Sequence, residues 1–173
     1  MAKSKQFISS KIMKPLVVIL MGAHADLPYA QIIVDLLNEL GIQTELRIGS
    51  PYKTPSHLLK IINKFEADKR PKVYITIAGL TNALSGFVDA QVQSPVIACP
   101  PMRDIYSRDD IFSSLRHPSG VAPATVLDPE GAAILAAKML SLFDTKIRQH
   151  VAKLQKQYID RLITDNAKVA NPR

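Results

Sequence analysis

Short apolar runs that stop at glycine or proline alternate with segments of helical periodicity, and this alternation limits the fold more than any other feature of the chain. Leu16-Val-Val-Ile-Leu-Met21 is continuously apolar and β-branched and ends at Gly22, the pattern of a strand buried on both faces. Ile32, Ile33, Leu36, Leu37 and Leu40 then recur at helical spacing up to Gly41, which reads as the glycine that ends the helix. Gln43–Ile48 alternates polar and apolar as a second strand. Thr54-Pro55 opens a second helix, with Leu58, Leu59, Ile61, Ile62 and Phe65 as its apolar face.

The pattern repeats downstream. Lys72–Ala78 is a third strand ending at Gly79, and 82–92 reads as a short helix. Pro95–Cys99 is a fourth strand, closed by Pro100-Pro101, which can neither donate to a ladder nor continue a helix. Asp109–Arg116 reads as a short helix, 124–127 as a weak fifth strand, and Asp128-Pro129-Glu130 as the start of an alanine-rich helix. A last amphipathic helix spans about Thr145–Asp165. Strands alternating with helices predict βαβ units and an α/β fold, a flavodoxin-like three-layer α/β/α sandwich. Its sheet is mostly parallel and five-stranded, and an extra C-terminal helix follows. The expected organisation is a basic arm over 1–14, an α/β domain over 15–145, and a C-terminal helix and tail over 146–173.

Charge and composition narrow the function classes. The chain has 173 residues, 47% of them hydrophobic, enough for a sizeable core. The net charge of +7 sits at the two ends: residues 1–14 carry +4, residues 146–173 carry +5, and the body between them −2. No base-reading motif or aromatic platform accompanies it, so nucleic acid is not expected as the main partner. A single cysteine, Cys99, excludes an internal disulfide framework and reads as a small core residue. The longest apolar run, Pro15–Met21, is too short to cross a bilayer, and no secretory signal is read, so no membrane role is expected and cytoplasm is the expected compartment.

In an open parallel sheet, ligands bind outside the carboxyl ends of the strands, where the strand order reverses. That rule selects the loops Gly22–Leu27, Gly49–Thr54, Ala78–Gly86, Cys99–Arg103 and Arg116–Gly120. Gly22-Ala-His-Ala-Asp26 offers a glycine turn at a helix N-terminus, suited to phosphate; equally, Asp26 could only cap the helix that follows. Gly49-Ser-Pro-Tyr-Lys-Thr54 gathers a hydroxyl, a lysine and a helix start, which together can hold phosphate; a surface turn capped by Thr54 fits the pattern as well. The four histidines show no metal-ligand spacing, so no metal is expected. His57 and His150 read as helix-surface residues, whereas His24 and His117 fall on loops at the ligand edge.

The same segments carry a resemblance. Val17-Val-Ile-Leu-Met-Gly22, Ser50-x-x-Lys-Thr54, Ile77-Ala-Gly79 with Asn82-Ala-Leu-Ser-Gly86, Ala98-Cys-Pro-Pro101, Ser113-Ser-Leu-Arg116 with Pro118-Ser-Gly120, and Val126-Leu-x-Pro129 stand in the order found in the aminoimidazole ribonucleotide carboxylase (PurE) family of purine biosynthesis. Over about 15–145 the chain resembles the class II branch. The resemblance implies a flavodoxin-like subunit in a homo-octamer, with sites between subunits and the C-terminal helix reaching a neighbour. It implies direct carboxylation of aminoimidazole ribonucleotide by carbon dioxide with no metal and no ATP, so no cofactor is expected.

Carried over position by position, the resemblance assigns ligand binding to Gly22, Ala23, Asp26, Ser50, Lys53, Ala78, Gly79, Asn82 and Arg116. Family members usually read G-S-x-S-D in the first loop, and here both serines are alanines, Ala23 and Ala25. The second loop usually reads S-A-H-[KR]-[TG], and here the histidine is Tyr52. In class II the third loop usually reads A-G-R-S-N, and here the arginine is Leu80. The family histidine fits proton transfer at the ring carbon that carries the carboxyl group, because imidazole titrates near operating pH. A phenol holds its proton more firmly and is a poor base unless a cation stands beside it. The catalytic position is therefore Tyr52, with His24 and His117 as possible substitutes. The expectation is a phosphorylated-ribonucleotide binder with weakened carboxylation. The alternatives are an active class II carboxylase with a substitute acid–base, and a non-catalytic octameric binding or regulatory protein.

Overall fold

The computed structural model describes residues 13–101 and 107–170. Most of the basic arm and part of the loop after Cys99 lie outside the described residues. Five parallel strands, β1 (Leu16–Met21), β2 (Gln43–Ile48), β3 (Lys72–Ile77), β4 (Val96–Ala98) and β5 (Ala124–Thr125), form one sheet in the order β2-β1-β3-β4-β5. The helices are α1 (Leu27–Glu39), α2 (Pro55–Glu66), α3 (Ala83–Asp89), α4 (Ser107–Asp110), α5 (Phe112–Leu115), α6 (Pro129–Leu140) and α7 (Thr145–Ala170). The expected flavodoxin-like α/β architecture and the extra C-terminal helix are both present.

The two-residue period of a strand sorts the core into two layers. Val17, Ile19 and Met21 of β1 face α1 and α6, in a cluster with Ile33, Leu37, Ala133, Ala136 and Ala137. Leu16, Val18 and Leu20 face the other way, onto Leu58 and Ile62 of α2 and Leu84 of α3. β1 and β3 are buried at every position because each has a strand on either side and helices on both faces. Each large aliphatic side chain so buried contributes about 1.5–3 kcal/mol. The buried alanines of α6 let it lie close against α1. β2 is an edge strand, so its alternation gives only half-burial, and Ile48 stays exposed.

Two buried groups show how polar atoms survive in this core. Tyr74 is fully buried, and its hydroxyl donates to Glu66 Oε1 at 2.9 Å. Burial first, and the Glu66 acceptor second, push its ionisation upward. Cys99 is the core residue the sequence implies, and burial pushes its thiol up to about 11.

Several boundaries differ from the sequence reading. The single helix expected over Asp109–Arg116 is two short helices, α4 and α5, with a turn at Ile111. α3 ends at Asp89 rather than Val92. α7 runs on to Ala170, because no proline or glycine falls between Asp165 and Ala170. Only Ile147 and Val151 of α7 are buried, and from 155 to 170 every residue but Asp165 is exposed. Gly41 does end α1, at φ +73°. His150 is a helix-surface residue, as expected, and its ring also reaches the Leu40 carbonyl.

Candidate functional site

The strand order reverses at β1: the chain moves from β1 outward to β2, then back past β1 to β3. The loops leaving these three strands therefore diverge, and a cleft of about 340 Å³ opens between them at the strands' carboxyl ends. All three loops contribute lining residues.

The first loop is tightly turned. Gly22 N donates to the Ile77 carbonyl at 2.9 Å, extending the β1–β3 ladder by one bond. A side chain at Gly22 would press on Ala78, its Cβ 3.4 Å from that residue's Cβ. Asp26 stands at the N-cap position of α1, but its carboxylate does not cap that helix. It turns back to accept from Ala23 N at 3.0 Å, and so lies buried at the cleft. The simple capping role left open by the sequence is thus replaced by a carboxylate facing the cleft.

The second loop is organised by Ser50. Its Oγ accepts from the amides of Tyr52 (3.3 Å) and Lys53 (3.2 Å), and its own amide donates to Thr54 Oγ1 at 3.0 Å. Thr54 occupies the N-cap position of α2 ahead of Pro55, but its hydroxyl is committed to Ser50 rather than to the helix. A serine oxygen that accepts twice still has its O–H proton to donate. Lys53 is exposed beside it, at the start of α2, where the helix dipole adds positive potential.

The third loop carries backbone strain. Leu80 has φ +59°, a left-handed conformation that costs a branched residue roughly 1–2 kcal/mol. Asn82 holds the loop down from behind: its amide donates to Ser113 Oγ (2.8 Å), its Nδ2 donates to Ser114 Oγ (2.9 Å), and its Oδ1 caps α3 at Ser85 N. Tyr52 Oη and Thr81 Oγ1 lie 3.1 Å apart. This contact joins the second loop to the third across the end of β1.

Gly22, Ala23, Asp26, Ser50, Tyr52, Lys53, Ala78 and Gly79 all line the cleft. The other candidates stand elsewhere. Asn82 is 2% exposed and supports the third loop from outside the lining, and Arg116 is exposed at the end of α5. His24 is exposed on the short turn before α1 and is not part of the lining. His117 packs over Gly86 with Nε2 3.1 Å from the Ser114 carbonyl, also outside the lining. Within the subunit neither histidine joins Tyr52 in the cleft. Thr81, absent from the expected site residues, lines the cleft, and its place within the loop that follows the buried strand β3 is the signal that could have found it.

An open parallel sheet ordered 2-1-3-4-5, with a loop-lined cleft at its switch point, defines a flavodoxin-like α/β protein. Residues 16–161 match the family model for AIR carboxylase. The phosphoribosylaminoimidazole carboxylase of Treponema denticola is 47% identical over 157 residues, covering 91% of this chain and 99% of the relative. The one from Archaeoglobus fulgidus is 46% identical over 151 residues, covering 87% and 82%. The crystal structure of Treponema denticola PurE superposes with a TM-score of 0.89 at 46% identity, covering 91% of this chain and all of that one. The chain belongs to the AIR carboxylase family. Among the described residues no helix is long and apolar enough to cross a membrane.

Proposed function

We propose that the cleft binds a phosphorylated ribonucleotide of purine biosynthesis, and that the carboxylation for which the relatives are named is weakened in this chain. The observation that carries the reading is the composition of the cleft. The groups that suit a phosphate and a ribose are gathered there, and the one that suits proton transfer is replaced.

Ser50 O–H, the Lys53 ammonium and the start of α2 sit together and offer charge-assisted donors to a phosphate. Asp26 presents an acceptor where ribose hydroxyls would donate. Gly22 and Gly79 keep side chains out of the space between them. The position from which the family histidine would move a proton is taken by Tyr52, whose hydroxyl is engaged with Thr81. Removal of a general acid–base typically lowers rate by about 10²–10⁴-fold. The near full-length match to a named carboxylase supports a second reading, an active enzyme with another acid–base. That reading requires a proton carrier other than His24 or His117 in their present positions, or one from another subunit.

Assembly as a homo-octamer, which the resemblance implies, is part of the proposal. Tyr158, Ile159, Leu162 and Ile163 are exposed along α7, and such a stripe on an otherwise solvated helix favours burial against other copies. Isothermal calorimetry with aminoimidazole ribonucleotide tests the binding. The wild-type protein should bind it, and Lys53→Ala should weaken binding at least tenfold. No heat with wild-type protein refutes the reading.

A further inference from the structure

Leu80 is the one non-glycine residue with a positive φ among the described residues, and it stands at the cleft between Gly79 and Thr81. A branched residue keeps a left-handed backbone only where its surroundings hold it there. Here the hold comes from behind the loop. Asn82 is buried outside the cleft lining. Its amide donates to Ser113 Oγ at 2.8 Å, its Nδ2 donates to Ser114 Oγ at 2.9 Å, and its Oδ1 accepts from Ser85 N at 3.3 Å. Ser113 Oγ donates its own proton to the Asp110 carbonyl at 2.6 Å and lies 3.4 Å from the Leu80 carbonyl.

The clamp is itself anchored to the sheet. The Ser114 carbonyl accepts from Thr125 Oγ1 of β5 at 2.8 Å and from His117 Nε2 at 3.1 Å. Contacts therefore run from β5 through Ser114 and Asn82 to Thr81, whose Oγ1 meets Tyr52 Oη at 3.1 Å. Asn82, Ser85 and Ser114 are all buried, so a bond lost among them strands a polar atom away from water. Release of the clamp lets Leu80 relax to negative φ, and that rotation carries Thr81 off Tyr52.

We propose that Asn82, held by Ser113 and Ser114, is a positioning residue. It fixes the left-handed turn at Leu80 and so seats Thr81 against Tyr52, which makes one wall of the cleft. The positioning needs no ligand, and only its effect on affinity rests on the ribonucleotide reading above.

The test is fluorine NMR of the full-length protein labelled with 3-fluorotyrosine, the Tyr52 resonance being assigned by its loss in Tyr52→Phe. Thr81→Val, which removes the hydroxyl contact, gives the resonance of an uncoupled Tyr52. Ser113→Ala, at a half-buried residue outside the cleft lining, should move the Tyr52 resonance toward that position and leave the buried Tyr74 in place. Asn82→Ala should do the same, and Ser113→Thr, which keeps the hydroxyl, should restore the wild-type position. In calorimetry Ser113→Ala should weaken aminoimidazole ribonucleotide roughly tenfold, and should change ribose 5-phosphate, which has no base to meet this wall, less than about twofold. A Tyr52 resonance that stays in place in Thr81→Val, in Ser113→Ala or in a folded Asn82→Ala overturns the positioning role. Equal weakening of both ligands overturns the part played by this wall in binding. Failure of the wild-type protein to bind either ligand refutes the ribonucleotide reading, while the NMR result still decides the positioning.

Discussion

His150 Nδ1, on the first half of α7, lies 2.7 Å from the carbonyl oxygen of Leu40, at the end of α1 and 110 residues earlier in the chain. A carbonyl can only accept, so the imidazole donates. The bond satisfies one of the carbonyls a helix leaves open at its C-terminus, and it lies against Gly41, where the chain turns at φ +73°. With Ile147, Val151 and the half-buried Leu154 it forms the anchor of a helix that is exposed from 155 onward at every described residue but Asp165. His150→Ala should therefore cost about 1 kcal/mol in urea unfolding. Gly41→Ala should cost more, since a Cβ there lies 3.2 Å from His150 Cε1 in addition to the left-handed strain. In the His150→Ala background the steric part of the Gly41→Ala penalty should disappear and the backbone part remain.

Leu80→Gly should stabilise the chain. Leu80 is mostly exposed, so little apolar burial is lost, whereas glycine adopts φ +59° without strain. After the added freedom of the unfolded chain is set against this, the gain should be up to about 1 kcal/mol, read as a higher thermal midpoint. An unchanged or lower midpoint would show that the leucine side chain contributes packing that outweighs the strain.

The Asp68–Arg70 pair should shape acid stability. Arg70 Nε donates to Asp68 Oδ2 at 2.8 Å and Arg70 N to Asp68 Oδ1 at 3.0 Å. The side-chain bond from Arg70, then the backbone bond, hold the Asp68 carboxyl below its usual range. A carboxyl whose folded-state pKa is lowered stabilises the fold above its unfolded pKa and loses that contribution as pH falls through the folded value. Asp68→Asn should thus be less stable than wild type at neutral pH. The difference should shrink as pH drops below the ordinary carboxylate range, as followed by urea midpoints across the acid limb. A difference independent of pH would mean the pair acts through packing alone.

The fold was legible because its strands are continuous apolar runs closed by Gly22, Gly79 and Pro100. Burial on both faces imposes that pattern, and little else produces it in so short a span. The alternation of the edge strand β2 bounded it correctly at Gln43–Ile48, whereas β5 is two residues, Ala124–Thr125, and so shorter than the 124–127 expected. The break between α4 and α5 was not legible, as no glycine or proline marks Ile111. At the site, the loops followed from topology, and Asp26, Ser50, Tyr52 and Lys53 followed from the family pattern. What no spacing could show was contact between loops. Thr81 entered the site through a hydroxyl bond to a residue 29 positions away. His117 left it because Gly86 offers its ring a place to pack.

The proposed weakening of carboxylation hinges on Tyr52 occupying the position of the family's proton-transferring histidine. The most direct test compares the wild-type protein with Tyr52→His in the decarboxylation of carboxylated aminoimidazole ribonucleotide, followed by ultraviolet absorbance at saturating substrate. The predicted result is slow turnover by the wild type and a rise of roughly 10²-fold or more on substitution, in line with the contribution of a positioned general acid–base. Rapid turnover by the wild type, with no gain in Tyr52→His, would contradict it and mark the chain as a working carboxylase whose proton moves by another route.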